Sequence, residues 1–249
     1  MEDTPVVDSP PLSLAKDKDY CFFVRHGQRA DKSGDSFHGD LEITDFGKEQ
    51  AEATGKVILQ ILETCPDAKV KIVTSPFLRC IMTANIIAKQ IGTTEVNVEP
   101  LVMEGLWDKI FEEKPPIDSF LCRELSNQEF SDRFMDPSVT LNLPDSEEYE
   151  KLSERYPESL EQIYKRYHDY MRENNHINIK SEAPQVVIAV SHALSVDSVR
   201  DFGNGEKIIV DYCSVGCIEF DKENKENFSL ALNGYQSHVK RAEKLNQIF

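Results

Sequence analysis

Three apolar runs separated by segments of helical character constrain this chain more than any other feature. Residues 20–25, Lys69–Ser75 (KVKIVTS) and Gln185–Ser191 (QVVIAVS) are short and rich in β-branched and aromatic residues. Runs of this kind read as strands covered on both faces rather than strands with one wet side. Between them lie helical stretches. One follows Thr44, a fitting N-cap, with Ala51, Ile58, Ile61 and Leu62 on one face. A second runs from Phe77 to Ile91 and stops before Gly92, and a third starts at Ala193. EVNVEP, beginning at Glu95, reads as a further short strand, and CIEFD with FSLALN as an edge hairpin. Strands that alternate with helices predict an α/β fold of three layers, a mostly parallel central sheet with helices on both faces. The 249 residues suit one such domain or two small ones.

The flanks read differently. Residues 1–18 are acidic and proline-rich and are expected to form a disordered tail, with the folded domain spanning 19–249. Residues 105–145, with Pro115 and Pro116, read as an irregular insertion. Residues 147–176 are charged and tyrosine-rich with a helical pattern. That segment admits two readings, a cap over a pocket or a solvated helix laced with i,i+4 charge pairs.

Charge narrows the choice of partners. Formal net charge is −16 at pH 7. Such a surface repels nucleic acid and anionic membranes, so neither is an expected partner. An anionic substrate would have to be gripped by local cations against that field. No apolar run approaches the roughly 20 residues of a membrane span, and the N-terminus has neither a basic n-region nor an apolar h-region. The six cysteines are scattered, which fits reduced core thiols and a cytoplasmic protein. No Asp, Glu, His or Cys group has metal-ligand spacing, so no metal or cofactor is expected. Oligomeric state is open, a homodimer included.

Ligands of open parallel sheets bind beyond the carboxyl ends of the strands. In this chain those ends carry Arg25-His26-Gly27, then Ser75 with Arg79 one turn into the next helix, then Ser191-His192. A lone histidine at a strand end is usually a hydrogen-bonded structural group, and a lone arginine a surface ion pair. Two of each after three core strands form a cationic rim if the strands are neighbours. Guanidinium groups bind phosphate oxygens bidentately and keep their charge. A neutral imidazole can attack phosphorus. The helix opening at Ala193 would turn backbone N–H groups the same way, and Gly27 permits close backbone approach.

These stretches carry a resemblance. VRHGQR resembles the RHG signature of the histidine phosphatase superfamily, the phosphoglycerate mutase-like proteins. LEITDFGKEQAEATGK, TSPFLRCIMTA and VSHALSVDSV resemble the blocks that follow it, in the same order, so that the likeness covers roughly residues 20–110 and 185–220. The resemblance implies that His26 is a nucleophile forming a phosphohistidine, and that Arg25, Arg79 and His192 bind the phosphoryl group. It implies that Glu104, in VEPLVMEGLWD, is the proton donor, with Glu99 as the competitor. Arg29 and Gln28 would line the pocket, Arg29 as a further phosphate ligand.

The branch is read from the departures. Gln28, Arg29, Ala30 and Asp31 replace the small residue and Trp-Asn pair usual in phosphoglycerate mutases, and Ala193 replaces the aspartate usual in the secreted acid phosphatases. The chain most resembles the suppressor-of-T-cell-receptor-signalling and ecdysteroid-phosphate phosphatase type. This implies a metal-independent phosphomonoesterase acting on a phosphorylated small molecule or phosphoprotein. The alternatives are a mutase-type phosphotransferase and an inactive interaction module. Should Glu104 not donate, Glu147 and Glu148 are the next candidates.

Overall fold

Strand β1 (Lys18–Arg25) sends alternate side chains into two separate cores, and this sets the layering. Tyr20, Phe22 and Val24 enter one core, Cys21 and Phe23 the other. The structure is a computed structural model, described here for residues 10–30, 40–104, 125–145, 158–174 and 182–239, with Cys122 and Glu147. The other strands are β2 (Lys69–Thr74), β3 (Glu95–Val98), β4 (Thr140–Asn142), β5 (Gln185–Ser191), β6 (Val215–Asp221) and β7 (Phe228–Tyr235). They form one seven-stranded sheet in the order β4-β3-β2-β5-β1-β6-β7. The pairs from β4 to β1 are parallel, and β6 and β7 are antiparallel additions.

Helices α1 (Asp45–Glu63) and α2 (Leu78–Ile91) cover one face. Val57, Ile58 and Ile61 of α1 and Ile81, Ala84 and Ile87 of α2 join the first core. The other face is covered by α4 (Leu160–Asn174) and α5 (Ala193–Phe202), preceded in chain order by α3 (Asn127–Phe134), which packs on the first core. The expected three-layer α/β architecture is therefore present.

Local chemistry sets the helix ends. Thr44 caps α1 by accepting from the Gly47 amide at 2.9 Å, and α2 ends at Gly92 with φ 74°. β6 and β7 form the expected edge hairpin. No helix among the described residues is long and apolar enough to cross a membrane.

Two expectations need correction and a third needs refinement. The tail joins the fold before residue 19. Leu14 is buried, its amide donates to Thr64 Oγ1 at 2.9 Å, and the Ala15 amide donates to the Tyr20 hydroxyl at 2.8 Å. Leu12 packs against the same core, and two leucines are enough in a polar segment when neighbouring backbone donors also find acceptors. Residues 1–9 lie outside the described residues.

The segment 105–145 is not irregular in its described part. It holds α3, opened by a reciprocal capping box between Ser126 and Glu129, and β4, which extends the sheet beside β3. Pro115 and Pro116 lie outside the described residues. Finally, α4 is a helix with i,i+4 charge pairing, Lys165 with Asp169 on its wet face, but its other face is not solvated. Ile163, Tyr167, Tyr170 and Met171 recur at helical spacing and are buried in the second core. Glu148 and most of 147–157 lie outside the described residues.

Candidate active site

Strands β2, β5 and β1 are adjacent, and their registers align the carboxyl ends, with Thr74 opposite Val190 and Arg25 opposite Ser191. Backbone bonds continue past the strands, from His26 N–H to Ser191 O at 2.9 Å and from Ser75 N–H to Val190 O at 3.0 Å. The rim inferred from the sequence thus becomes a cluster.

His26 is 5% exposed. Its Nδ1 lies 2.8 Å from Gly27 O. A carbonyl can only accept, so Nδ1 carries the proton and Nε2 presents its lone pair. Arg79 Nε donates to that Nε2 at 3.2 Å. Burial, then the charges of Arg79 and Arg25, hold the His26 pKa well below the usual imidazole range. The ring is neutral at pH 7, the state a nucleophile requires.

His192 is the residue before α5 and is fully buried, its pKa lowered by burial and by Arg79. Its Nε2 lies 3.0 Å from Ser75 Oγ, and its Nδ1 3.2 Å from Glu104 Oε2. Arg79 Nη2 reaches the same carboxylate oxygen at 3.2 Å and lies 3.3 Å from His192 Nδ1. With Glu104 ionised, this triangle is two donors converging on one acceptor, and His192 Nε2 accepts from Ser75. The Glu104 side chain is 22% exposed against 7% for Arg79 and 1% for His192, so the cluster meets solvent on the glutamate side.

Arg25 sits beside this group. Its Nη1 donates to Val210 O at 2.8 Å, its guanidinium carbon lies 4.1 Å from the Tyr212 ring centre, and its buried Nε meets no acceptor among the described residues. Gly27 holds the corner in place. Its amide donates to Thr83 Oγ1 at 3.0 Å, and that hydroxyl donates to Arg79 O at 2.7 Å. One threonine therefore ties the loop after β1 to the turn carrying Arg79.

The geometry of a strand-end cluster is shared by many folds, so the comparisons decide the family. The profile of the histidine phosphatase superfamily (branch 1) matches residues 21–232. The chain belongs to the histidine phosphatase superfamily. No curated protein matches the sequence. Similar solved structures include the ecdysone phosphate phosphatase of Bombix mori in complex with tungstate. It is 16% identical with a TM-score of 0.56, and the match covers 93% of this chain and 97% of that one. A mycobacterial glucosyl-3-phosphoglycerate phosphatase is 17% identical with a TM-score of 0.56, over 88% and 100% of the two chains. A phosphoserine phosphatase mutant from Entamoeba histolytica with phosphoserine is 16% identical with a TM-score of 0.53, over 89% and 100%. At these identities the structures establish the fold.

Within this histidine phosphatase fold, Arg25, His26, Arg79, His192 and Glu104 come together. The other expected residues do not join them equally. Glu99 accepts from the Leu101 amide at 3.0 Å and caps a short 3-10 turn, Pro100–Val102. Gln28 accepts from Thr44 Oγ1 at 3.0 Å, which bonds it to the start of α1. Arg29 pairs with Ile43 in an isolated bridge, and its charge helps depress the His26 pKa. Gly27 does allow a close approach, but the partner is Gly47 of α1.

Sequence reasoning missed Phe77 and Tyr212. The Phe77 ring lies 5.2 Å from that of His192 and 4.2 Å from the Arg79 guanidinium carbon. Tyr212 lies 5.7 Å from the His26 ring. A signal for Tyr212 existed. An antiparallel strand begins at the rim where its parallel neighbours end, so residues just before β6 belong with those just after β1.

Proposed function

We propose that the protein is a phosphomonoesterase that works through a phosphohistidine at His26. The observation that carries this reading is the His26 ring itself, neutral, with Nδ1 tied to Gly27 O and the Nε2 lone pair turned toward Arg79. Attack by Nε2 forms a P–N bond as the P–O bond to the leaving group breaks. Arg25, Arg79 and His192 bind the phosphoryl oxygens, and Arg79 exchanges its contact with Glu104 for them. Glu104, as the acid, gives its proton to the leaving oxygen. As the carboxylate it then takes a proton from water, which attacks phosphorus and breaks the P–N bond.

The two arginines supply the positive charge that a metal supplies in other phosphatases. The substrate class we favour is a phosphate ester of an alcohol, small or protein-borne. An alkoxide needs a proton to leave, and Glu104 sits on the open side of the cluster. The phosphatases of similar fold named above act on ecdysone phosphate, glucosyl-3-phosphoglycerate and phosphoserine. The six cysteines are all buried and free, which supports a reducing compartment such as the cytoplasm.

Purified protein should release phosphate from nitrophenyl phosphate and from an alkyl phosphate, with EDTA present. His26→Ala should lower turnover about a thousandfold, about 4 kcal/mol of barrier, with the fold intact. An acid-free quench should leave label on His26. Label on serine or cysteine, full loss with EDTA restored by magnesium, or phosphoglycerate interconversion without net hydrolysis would each defeat the proposal.

A further inference from the structure

The backbone leading into Glu104 is gripped by buried side chains at three successive carbonyls. Arg166 Nη1 donates to Leu101 O and, at 3.0 Å, to Met103 O. Ser191 Oγ donates to Val102 O. The Tyr167 hydroxyl adds a second bond to Met103 O at 2.7 Å. Arg166 and Tyr167 are consecutive residues of α4, 5% and 0% exposed.

Arg166 is itself fixed. Its Nε and Nη2 donate to the two carboxylate oxygens of Glu158 at 3.0 and 2.9 Å, leaving Nη1 to span both carbonyls. A buried ion pair is often no more stabilising than apolar residues of similar volume. What an apolar side chain could not do here is hold two peptide carbonyls, those of Leu101 and Met103, within three residues of Glu104.

That hold has a consequence for the reaction. In the structure the Glu104 carboxylate contacts Arg79 and His192. Under the function proposed above, on which this inference rests, both turn to the phosphoryl group when substrate binds. The carboxyl is then placed by its own backbone.

We propose that Arg166 and Tyr167, with Glu158 behind them, are positioning residues for the proton donor Glu104. They act through the carbonyls of Leu101 and Met103 and set how far the carboxyl stands from the leaving oxygen. A misplacement of about 1 Å can cost on the order of a hundredfold in rate, so the clamp is kinetically large without touching substrate.

The test uses leaving-group dependence, which a general structural defect would not change. Nitrophenolate departs without a proton and an alkoxide does not. Arg166→Lys keeps the charge but loses the planar fork. Tyr167→Phe removes one hydroxyl from a ring that stays packed against Phe23 at 5.7 Å. Arg166→Lys should lose about tenfold or more on an alkyl phosphate and less than about twofold on nitrophenyl phosphate, with Tyr167→Phe showing the same split. In a Glu104→Gln background neither change should lower alkyl phosphate turnover further by more than about twofold, because residues acting through one group are not additive. Equal losses on both substrates, or undiminished losses in the Glu104→Gln background, would overturn the clamp while leaving the phosphatase reading intact. A Glu104→Gln variant with no leaving-group preference would overturn the clamp together with the donor role of Glu104, and a wild-type protein active on neither ester would overturn the phosphatase reading as well. If Arg166→Lys fails to fold, Tyr167→Phe decides by the same split.

Discussion

At Gly27 two backbones almost touch. A Cβ there would stand 2.4 Å from the carbonyl oxygen of Gly47, and one on Gly47 would stand 2.4 Å from Gln28 O. The obstacles are peptide atoms, which cannot swing aside as a side-chain end would. His26 depends on this contact, because its Nδ1 bonds the carbonyl of Gly27. Gly27→Ala should therefore cost about 1–3 kcal/mol, typical of overpacking, and lower kcat by more than the stability loss explains. Thermal unfolding beside kinetics on nitrophenyl phosphate will show it, and wild-type turnover in the variant would count against the coupling of Gly27 to His26. The sequence marked Gly27 as a place of close approach. It could not name Gly47 as the partner, since nothing local links the two positions.

Among the elements, α1 depends on its first turn. Thr44 Oγ1 accepts from the Gly47 amide and donates to Gln28 Oε1, joining the helix start to the loop after His26. Thr44→Ala should cost about 1 kcal/mol of stability, as N-cap losses do, with kcat little changed because neither bond reaches His26, Arg79, Glu104 or His192. Urea unfolding measures the first and nitrophenyl phosphate kinetics the second; an unchanged urea midpoint would sink the capping argument. The cap of α1 was legible because capping depends on three or four consecutive residues. The same signal lay in Ser126-Asn127-Gln128-Glu129 and opens α3 inside a stretch that reads as irregular. In α4 the tyrosines misled, since a phenol beside many charges passes for a surface residue. Tyr167 hides its ring in the core and finds a carbonyl for its hydroxyl.

Across the molecule, the buried imidazoles link folding to pH. Burial lowers the pKa of His26 and His192 far below the usual value and that of His238 to about 4. Below pH 6.5 the unfolded chain takes up protons that these folded sites refuse, so stability falls with acidification and levels off above about pH 7. His238 alone accounts for about 3 kcal/mol between its unfolded and folded values. Relief of the −16 net charge works the other way, but salt near 0.15 M screens it. The urea midpoint should be lower at pH 5.5 than at 7.5; an equal or higher midpoint would mean that charge relief wins. The sequence by itself determined the strand runs, the cap of α1, and the set Arg25, His26, Arg79 and His192 at strand ends. These follow from covalent order and short-range periodicity, which place a residue at the end of its own strand whatever lies beside it. Only the tertiary structure decided that β5 enters between β1 and β2, which turns three strand ends into one rim. It also brought Val210, 185 residues away, to Arg25, and set Arg166 against the carbonyls ahead of Glu104. Such pairs arise from strand register and helix packing between distant segments, and no local pattern in the chain specifies them.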